Sequence, residues 1–404
     1  MALSLKSSKA FGKLTAIFFF CLSAAVGLSG CGLSTGKGSS SLSTVPTQTS
    51  VVPGVSSTSV AFGEVIPQTD MPSYAAVSSG IRAYFDSINA GGGVKGRKLV
   101  LSSVISSSNG ITGKSISNLA SKGHVFGILG TGPFSEISPG LAQIQTNNIP
   151  LIGSITGAPP LYEVTRPYVF NIGPSYVTEG RAIAGFMQGS KVSGKVVILY
   201  QNDPFGLALL SGYQSVLPAS ATLIPFRPTD TDFSNQVSEI QAESAKTVII
   251  FAKPGAVGNI LDSFSSVGLN PRIILSQTSL TGGAYSTGGS GLNNLYVSGF
   301  IPPLQPATKN PEITSFEAAM HTYQPTQTIN QFSAWGWECA QVAVAALKAD
   351  KSVALNRQNY IASLGLLKNT QTLAGSVSYN GTGGNALDAA NLYQLSNGHR
   401  VLVP

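Results

Sequence analysis

Short apolar runs alternate with amphipathic stretches along most of the chain, beginning near Ser57. Apolar runs of about four to eight residues between turn signals are typical of buried strands, and apolar residues recurring every three or four positions are typical of helices. In the first half of the chain the pattern predicts four strands separated by helices: STSVAFGEV, KLVLSSV, VFGILG and IPLIGS. This strict alternation predicts a parallel sheet with helices on both faces.

The join between the first predicted helix and the second strand reads INAGGGVKGRKLVL. A helix must end here and the chain must reverse toward a parallel strand. Gly91, Gly92 and Gly93 can adopt positive φ at low steric cost, so they predict a C-cap. Gly96 is the predicted turn residue before the strand.

The same alternation restarts near Gly194 and predicts a second α/β unit of similar size, with the strands KVVILY, ATLIPF, KTVIIFA and RIILSQ. The remainder of the chain has a different pattern. Three helical stretches, NPEITSFEAAMHTY, FSAWGWECAQVAVAALKA and NRQNYIASLGLL, precede two predicted strand regions, TLAGSVSY and NLYQLSNGHRVLV.

The N-terminus has the pattern of an export signal. Lys6, Lys9 and Lys13 precede the apolar run LTAIFFFCLSAAVGL, which is short for a membrane span. The run ends in LSGC, which resembles a bacterial lipobox and so implies lipidation of Cys31 after removal of residues 1–30. An ordinary signal with an incidental cysteine is the alternative.

Residues 31–56 are rich in Ser, Thr, Gly and Pro and have no periodicity, which predicts a flexible tether. We therefore expect a protein held by a lipid anchor on the extracytoplasmic face, either periplasmic or at the cell surface. Composition agrees with a folded domain after this tether, since 43% of the 404 residues are hydrophobic and 10% are charged. The net charge is +7, and without the three lysines of the predicted signal it is 7 − 3 = +4, spread thinly; since there is no basic stripe, we expect no nucleic-acid partner. We expect a monomer.

Four stretches, in sequence order, resemble type I periplasmic binding proteins, in the leucine/isoleucine/valine-binding branch of ABC-transporter substrate-binding lipoproteins. They are VSSGIRAYFDSINAGGGVKGRKLVL, FGILGTGPFSEISPGLAQIQTNNIPLIGSITGAPPL, VVILYQNDPFGLALLSGYQ and AVGNILDSFSSVGL. The resemblance covers residues 57–404. It implies an α/β fold of two Rossmann-like lobes with parallel central sheets, joined by a hinge of three chain crossings.

The resemblance also implies where the chain passes between lobes. We expect crossings near Gly173, Gly299 and Gly375. The expected N-terminal lobe then contains residues 57–173 and 300–374, and the C-terminal lobe contains residues 174–299 and 375–404.

Ligands of open α/β sheets bind at the carboxyl ends of strands, so the residues after each predicted strand are the candidates. The resemblance implies that hydroxyl and amide groups of the loops in the first lobe hold ligand, and that an aromatic residue of the second lobe covers it. The residues expected to contact ligand are Phe134, Ser135, Ser154, Ile155, Thr156, Phe205, Lys253 and Gln277. Structural alternatives exist for three of them: a plain N-cap for Ser135, turn chemistry for Thr156 and a helix-core position for Phe205. For Asp203 we favour a helix cap.

Gln277 departs from the family pattern. Amino-acid-binding relatives have an acid at the matching position, where it pairs with the ammonium group of the ligand. Here the side chain is an uncharged amide, and Lys253 follows the neighbouring strand. Burying an ammonium group without a carboxylate partner costs several kcal/mol. The resemblance implies a ligand of the branched-chain amino acid type, whereas this departure favours a neutral or acidic small ligand that is not an amino acid.

The sequence lacks the residue patterns of common enzyme active sites. His124, His321 and His399 are far apart and have no metal-ligand spacing, and no GxSxG elbow is present. The stretch SSSNGITGKS lacks the first glycine of a P-loop, which is replaced by Ser108. Cys339 is alone in an apolar helix, which predicts a small buried hydrophobe. We expect no enzyme activity, no catalytic residue, no metal and no cofactor.

Two tryptophans, Trp335 and Trp337, are expected to pack in the core or between the lobes, with one lining the crevice as the alternative. The resemblance implies a binding protein that captures a small molecule between its lobes and delivers it to the permease subunits of an ABC importer. A ligand-sensing receptor lipoprotein on the same fold is the alternative.

Overall fold

The structure is a computed structural model that describes residues 52–67, 71–106, 114–121, 125–163, 166–190, 194–279, 294–304, 310–381, 383–396 and 399–403. The predicted signal, Cys31 and nearly all of the predicted tether lie outside these residues, as does most of the stretch that resembles a P-loop. None of the helices described has both the length and the hydropathy needed to cross a membrane.

Fifteen strands are described, and most coincide with the apolar runs of the sequence. Their bounds are β1 Ser59–Pro67, β2 Lys98–Ser106, β3 Gly127–Leu129, β4 Leu151–Ile152, β5 Val169–Asn171, β6 Val196–Gln201, β7 Thr222–Phe226, β8 Thr247–Phe251, β9 Arg272–Leu275, β10 Leu295–Gly299, β11 Thr370–Thr372, β12 Gly375–Val377, β13 Gly384–Asn385, β14 Asn391–Ser396 and β15 His399–Leu402.

Two central sheets confirm the predicted mixed α/β fold. The first has the order β13-β5-β4-β3-β1-β2 and is parallel throughout. The second has the order β15-β14-β10-β9-β8-β6-β7. It is parallel from β10 to β7, whereas β14 and β15 add antiparallel strands at one edge. Strands β11 and β12 form a separate hairpin.

Helices follow most of the parallel strands. Their bounds are α1 Met71–Ala90, α2 Lys114–Ser121, α3 Phe134–Ile137, α4 Leu141–Thr146, α5 Tyr176–Gly189, α6 Pro204–Gln214, α7 Ser234–Ala242, α8 Pro254–Ser266, α9 Pro311–Tyr323, α10 Gln331–Ala349 and α11 Arg357–Gly365. The sequence predicts one helix over residues 135–148, but the structure divides it into α3 and α4. A 3-10 turn with Pro139 near its start separates them, since proline cannot donate the hydrogen bond that a continuous helix requires.

The glycine-rich join after α1 has the predicted geometry. Gly92 and Gly93 have φ values of 96° and 79°, and the N–H of Gly93 donates to the carbonyl of Ile88 at 3.0 Å. A Cβ at Gly93 would lie 2.0 Å from the carbonyl oxygen of Arg97. Only glycine allows both the left-handed backbone and this close approach.

Each sheet has its own hydrophobic core. One large cluster surrounds the first sheet and includes residues from α1, α9, α10 and α11. Two clusters, which involve α7 and α8 in one case and α5 and α6 in the other, cover the second sheet. Separate cores around separate sheets define two lobes.

Close helix pairs within each lobe depend on glycines. In the first lobe, a Cβ at Gly80 of α1 would lie 1.8 Å from the carbonyl oxygen of Ser333 in α10. In the second lobe, a Cβ at Gly180 of α5 would lie 2.1 Å from the carbonyl oxygen of Leu209 in α6. These backbones touch where a side chain would separate them.

Along the described strands, the chain passes between the two sheets three times. It leaves the first sheet after β5, returns after β10 and leaves again between β13 and β14. The sequence places the third passage near Gly375, whereas the structure places it after Asn385. The pairing of Gly384 and Asn385 with Phe170 and Asn171 keeps this segment in the first sheet.

Candidate functional site

A cavity of about 730 Å³ lies where both lobes present the loops that follow their parallel strands. The first lobe contributes loops after β3 and β4 and the start of α10, and the second lobe contributes loops after β6, β8 and β9. The lining residues are Tyr74, Pro133, Phe134, Ser135, Ile155, Thr156, Ala158, Pro159, Pro160, Tyr176, Asp203, Pro204, Phe205, Lys253, Pro254, Gly255, Gln277, Thr278, Phe332 and Trp335.

Seven of the eight residues expected to contact ligand line this cavity: Phe134, Ser135, Ile155, Thr156, Phe205, Lys253 and Gln277. Ser154 is 2% exposed and lies behind the wall. Its Oγ is buried and has no hydrogen-bond partner among the described residues. The structure brings the seven together, and their contact with ligand stays a prediction.

Thr156 and Tyr176 connect the two lobes at the cavity. The hydroxyl of Thr156, after β4, lies 3.2 Å from the hydroxyl of Tyr176, at the start of α5. The backbone N–H of Ala158 donates to the same Thr156 oxygen at 3.3 Å. Burial raises the pKa of Tyr176 above its ordinary value, although hydrogen bonds with Thr156, Gly157 and Thr278 lower it in part. The phenol therefore keeps its proton and serves as a neutral group on the wall.

Asp203 caps α6, as the sequence predicts. Its Oδ1 accepts the N–H groups of Phe205 and Gly206 at 3.0 and 3.1 Å. Its Oδ2 accepts from Lys253 Nζ at 2.8 Å and from Gln201 Nε2 at 2.7 Å. Burial by itself raises the pKa of Asp203, but hydrogen bonds from Lys253 and Gly206 and the positive charge of Lys253 outweigh it, so the pKa lies below its ordinary value. Lys253 is therefore an ion-paired cation, and its partner is a residue that follows a different strand.

Gln277 joins the cavity to the passage after β10. The side-chain Oε1 of Gln277 accepts the backbone N–H of Phe300 at 3.0 Å. The backbone N–H of Gln277 donates to Glu179 Oε1 at 2.6 Å. The hydroxyl of Ser298 also donates to Glu179. Burial raises the pKa of Glu179, and the hydrogen bonds from Ser298 and Gln277 and the charge of Arg400 lower it in part. Glu179 is thus an acid close to Gln277, but it does not line the cavity and already accepts hydrogen bonds from Gln277 and Ser298.

Two further aromatic residues complete the wall: Tyr176, which was not among the predicted site residues, and Trp335. Tyr176 packs edge-on against Phe205 with ring centroids 4.8 Å apart, and Trp335 packs edge-on against Phe300 at the same separation. Tyr176 follows β5, so the rule that ligand residues follow strands could have found it. Trp335 lies inside a helix and follows no strand, and its place on the wall agrees with the alternative prediction that one tryptophan lines the crevice.

The second tryptophan and Cys339 belong to the core. Trp337 is 3% exposed and packs against Tyr84 and Phe316 with ring centroids 4.7 and 5.5 Å apart. Cys339 is fully buried, as predicted, and its Sγ lies 3.3 Å from the carbonyl oxygen of Gly153. In the part of the chain that the structure describes, no group of three or more His, Cys, Asp or Glu side chains could hold a metal ion.

Solved structures with the same fold include several solute-binding proteins. One is a possible leucine/isoleucine/valine-binding protein from Rhodopirellula baltica SH 1, with 16% identity and a TM-score of 0.75 over 88% of this chain and 98% of that one. Another is a solute-binding protein of an ABC transporter from R. palustris in complex with benzoate, with 18% identity and a TM-score of 0.73 over 85% and 95%. A fatty acid ABC transporter substrate-binding protein from Thermomonospora curvata has 18% identity and a TM-score of 0.72 over 87% and 93%.

The family profile gives the assignment, since no curated protein matches the chain. The profile described as periplasmic binding protein matches residues 69–400, which is most of the chain. The family consists of extracytoplasmic solute-binding proteins and not of enzymes, in agreement with the cavity between two lobes. The chain belongs to the periplasmic binding protein family.

Proposed function

We propose that this protein captures a small molecule between its two lobes and delivers it to the permease of an ABC importer. The observation that carries the proposal is the shared cavity, to which both lobes contribute loops that follow parallel strands. Such loops at the carboxyl ends of open sheets are the usual ligand positions of α/β folds. The volume of about 730 Å³ falls in the range of about 300–1,000 Å³ that is usual for small-molecule sites.

Capture is proposed to proceed by hinge closure, which is the established behaviour of periplasmic binding proteins as a class. A ligand that first contacts one lobe and then the other has a higher affinity for the closed state, so binding raises the population of that state. Three chain passages between the sheets are the hinge, and the permease would recognise the closed form. No bond of the ligand changes.

The proposed ligand is neutral or acidic and is not a branched-chain amino acid. Gln277 is uncharged, and its amide oxygen is occupied by the N–H of Phe300. The carboxylate of Asp203 is paired with Lys253. An ammonium group would therefore find no unpaired carboxylate among the described residues of the wall.

Anchorage is proposed to use Cys31, lipidated after removal of residues 1–30 and followed by the tether of residues 31–56. Radiolabelled palmitate should be incorporated into the wild-type protein in a bacterial host and not into a Cys31→Ser variant. Equal labelling of both proteins, or labelling of neither, would contradict the anchor.

A thermal-shift screen tests the binding function. It would compare amino acids, short carboxylates, aromatic acids, amides and polyols, because a ligand that binds only the folded state raises the melting temperature. We expect at least one neutral or acidic compound to raise it. A rise with leucine, isoleucine or valine alone would contradict the proposed ligand class.

A further inference from the structure

The charged side chains on the described part of the cavity wall are Asp203 and Lys253, and they neutralise each other. A carboxylate offers about four acceptor positions, and four donors occupy those of Asp203: Lys253, Gln201, Phe205 and Gly206. The carboxylate has no position left for a ligand.

This pairing disfavours charged ligands of either sign. An ammonium group would be buried without a free carboxylate, at a cost of several kcal/mol. The Lys253 ammonium has three N–H donors and donates one of them to Asp203, so a ligand carboxylate would either share a charge that Asp203 already balances or displace Asp203. The side chain of Lys253 is 55% exposed and that of Asp203 is 13% exposed, so displacement would leave the less exposed charge without its partner.

Two acids, Glu179 and Glu136, lie close to the wall but do not line the cavity. Glu179 accepts hydrogen bonds from Gln277 and Ser298 behind the wall. Glu136 follows Ser135 in α3, but it does not line the cavity, and burial raises the pKa of its carboxyl group. Neither group provides a charge for a ligand in the cavity.

The remaining wall is aromatic, apolar or neutral and polar. Four neutral polar side chains, Ser135, Thr156, Gln277 and Thr278, accompany a larger apolar surface. The rings on this surface belong to Tyr74, Phe134, Tyr176, Phe205, Phe332 and Trp335. Aromatic rings favour edge-on or offset contacts with other rings, so the surface is complementary to a flat apolar body.

We propose that the ligand of this site is an uncharged, largely apolar molecule with an aromatic body and a neutral hydrogen-bonding group. This inference rests on the proposed function and narrows its ligand class. The aromatic body contacts the rings of the wall, and the neutral polar group pairs with hydroxyl or amide side chains. The Asp203–Lys253 pair acts as a specificity determinant, because it leaves no unpaired cation for an acid on the described part of the wall.

Three probes of equal ring size test the inference by isothermal titration calorimetry on the full chain: 2-naphthamide, 2-naphthoate and 3-(2-naphthyl)alanine. We expect the neutral amide to bind at least tenfold more tightly than the anion, and the amino acid not to bind. Equal or tighter binding of the anion, measurable binding of the amino acid, or no binding of the amide would each overturn the inference.

Asp203→Asn tests the ion pair directly. Asparagine caps helices about as well as aspartate, so the variant should keep α6 while leaving Lys253 unpaired. Affinity for 2-naphthoate relative to that for 2-naphthamide should rise at least tenfold. The control is Glu243→Gln, which removes the acid of the surface pair with Lys195 and should leave all three affinities unchanged. If Asp203→Asn folds to the wild-type melting temperature and its selectivity is unchanged, the inference is wrong.

Failure of the inference and failure of the proposed function give different results. If the anion or the amino acid binds and reduces the radius of gyration, the ligand class is wrong and the capture function stands. If no compound of the thermal-shift screen binds, the capture function itself fails.

Discussion

Trp335 and Trp337 are two positions apart on α10, but their surroundings differ. Trp335 lines the cavity, whereas Trp337 is packed between Tyr84 and Phe316. They are the two tryptophans of the sequence, so the intrinsic fluorescence of the protein comes from one residue at the site and one in the core.

Ligand binding should therefore change tryptophan fluorescence through Trp335. Trp335→Phe should lose most of the change caused by a ligand that raises the melting temperature, because a ring at the wall remains but the fluorophore is gone. Trp337→Phe should keep the change. A fluorescence titration of both variants checks this, and a change that survives in Trp335→Phe would place the ligand elsewhere.

Glu338, also on α10, is a fully buried acid. Its Oε2 accepts the backbone N–H of Ala374 at 2.9 Å, while its Oε1 has no partner among the described residues. Burial raises the pKa of Glu338 from its ordinary value of 4.5 to about 7, although hydrogen bonds from Thr372 and Ala374 lower it in part. The folded protein therefore binds this proton more tightly than the unfolded chain does.

Glu338 should make the protein less stable as pH rises. The free energy of unfolding should fall between pH values of about 4.5 and about 7, by on the order of 3 kcal/mol from this group alone. Glu338→Gln should flatten this part of the curve. Urea unfolding across the window checks the prediction, and the same slope in wild type and variant would contradict it.

Helix α5 contains two glycines in opposite environments. A Cβ at Gly180 would lie 2.1 Å from the carbonyl oxygen of Leu209, whereas a Cβ at Gly185 would have no atom within 4 Å. The first glycine is required by the contact with α6, and the second is not required by any contact of this kind. The two positions form a matched pair within one helix.

Gly180→Ala should destabilise the protein by about 1–3 kcal/mol, since the two helices must separate to admit the methyl group. Gly185→Ala should be neutral or stabilise it by up to about 1 kcal/mol, because alanine has the higher helix propensity. Urea unfolding of both variants measures the difference. A Gly180→Ala variant as stable as Gly185→Ala would show that the helices are not held by this contact.

At the scale of elements, the sequence predicted most strands and the glycine-rich join because each depends on local pattern. It did not predict that the helix expected over residues 135–148 is broken at Pro139. The apolar pattern continues across this proline, although proline cannot donate the backbone hydrogen bond of a continuous helix. The sequence also did not show that Asp203 pairs with Lys253. The two follow β6 and β8, which are neighbours in the sheet, and strand order depends on long-range packing that no local pattern records.

At the scale of the whole molecule, the arrangement of the two lobes forms the cavity. The two sheets have separate cores, and the loops that follow their strands line one cavity. Aromatic side chains from both lobes lie on its wall. Seven expected residues could be placed because they follow strands, whereas Phe332 and Trp335 come from a helix that only the arrangement of the lobes brings to the site. The third passage of the chain was misplaced because β13 is a two-residue strand with no apolar pattern.

Small-angle X-ray scattering tests the central claim, that a small ligand is captured between two hinged lobes. The measurement compares the protein alone with the protein saturated by a compound that raises its melting temperature. Hinge closure predicts a smaller radius of gyration in the bound state at unchanged molecular mass. An unchanged radius of gyration at saturation would contradict the account.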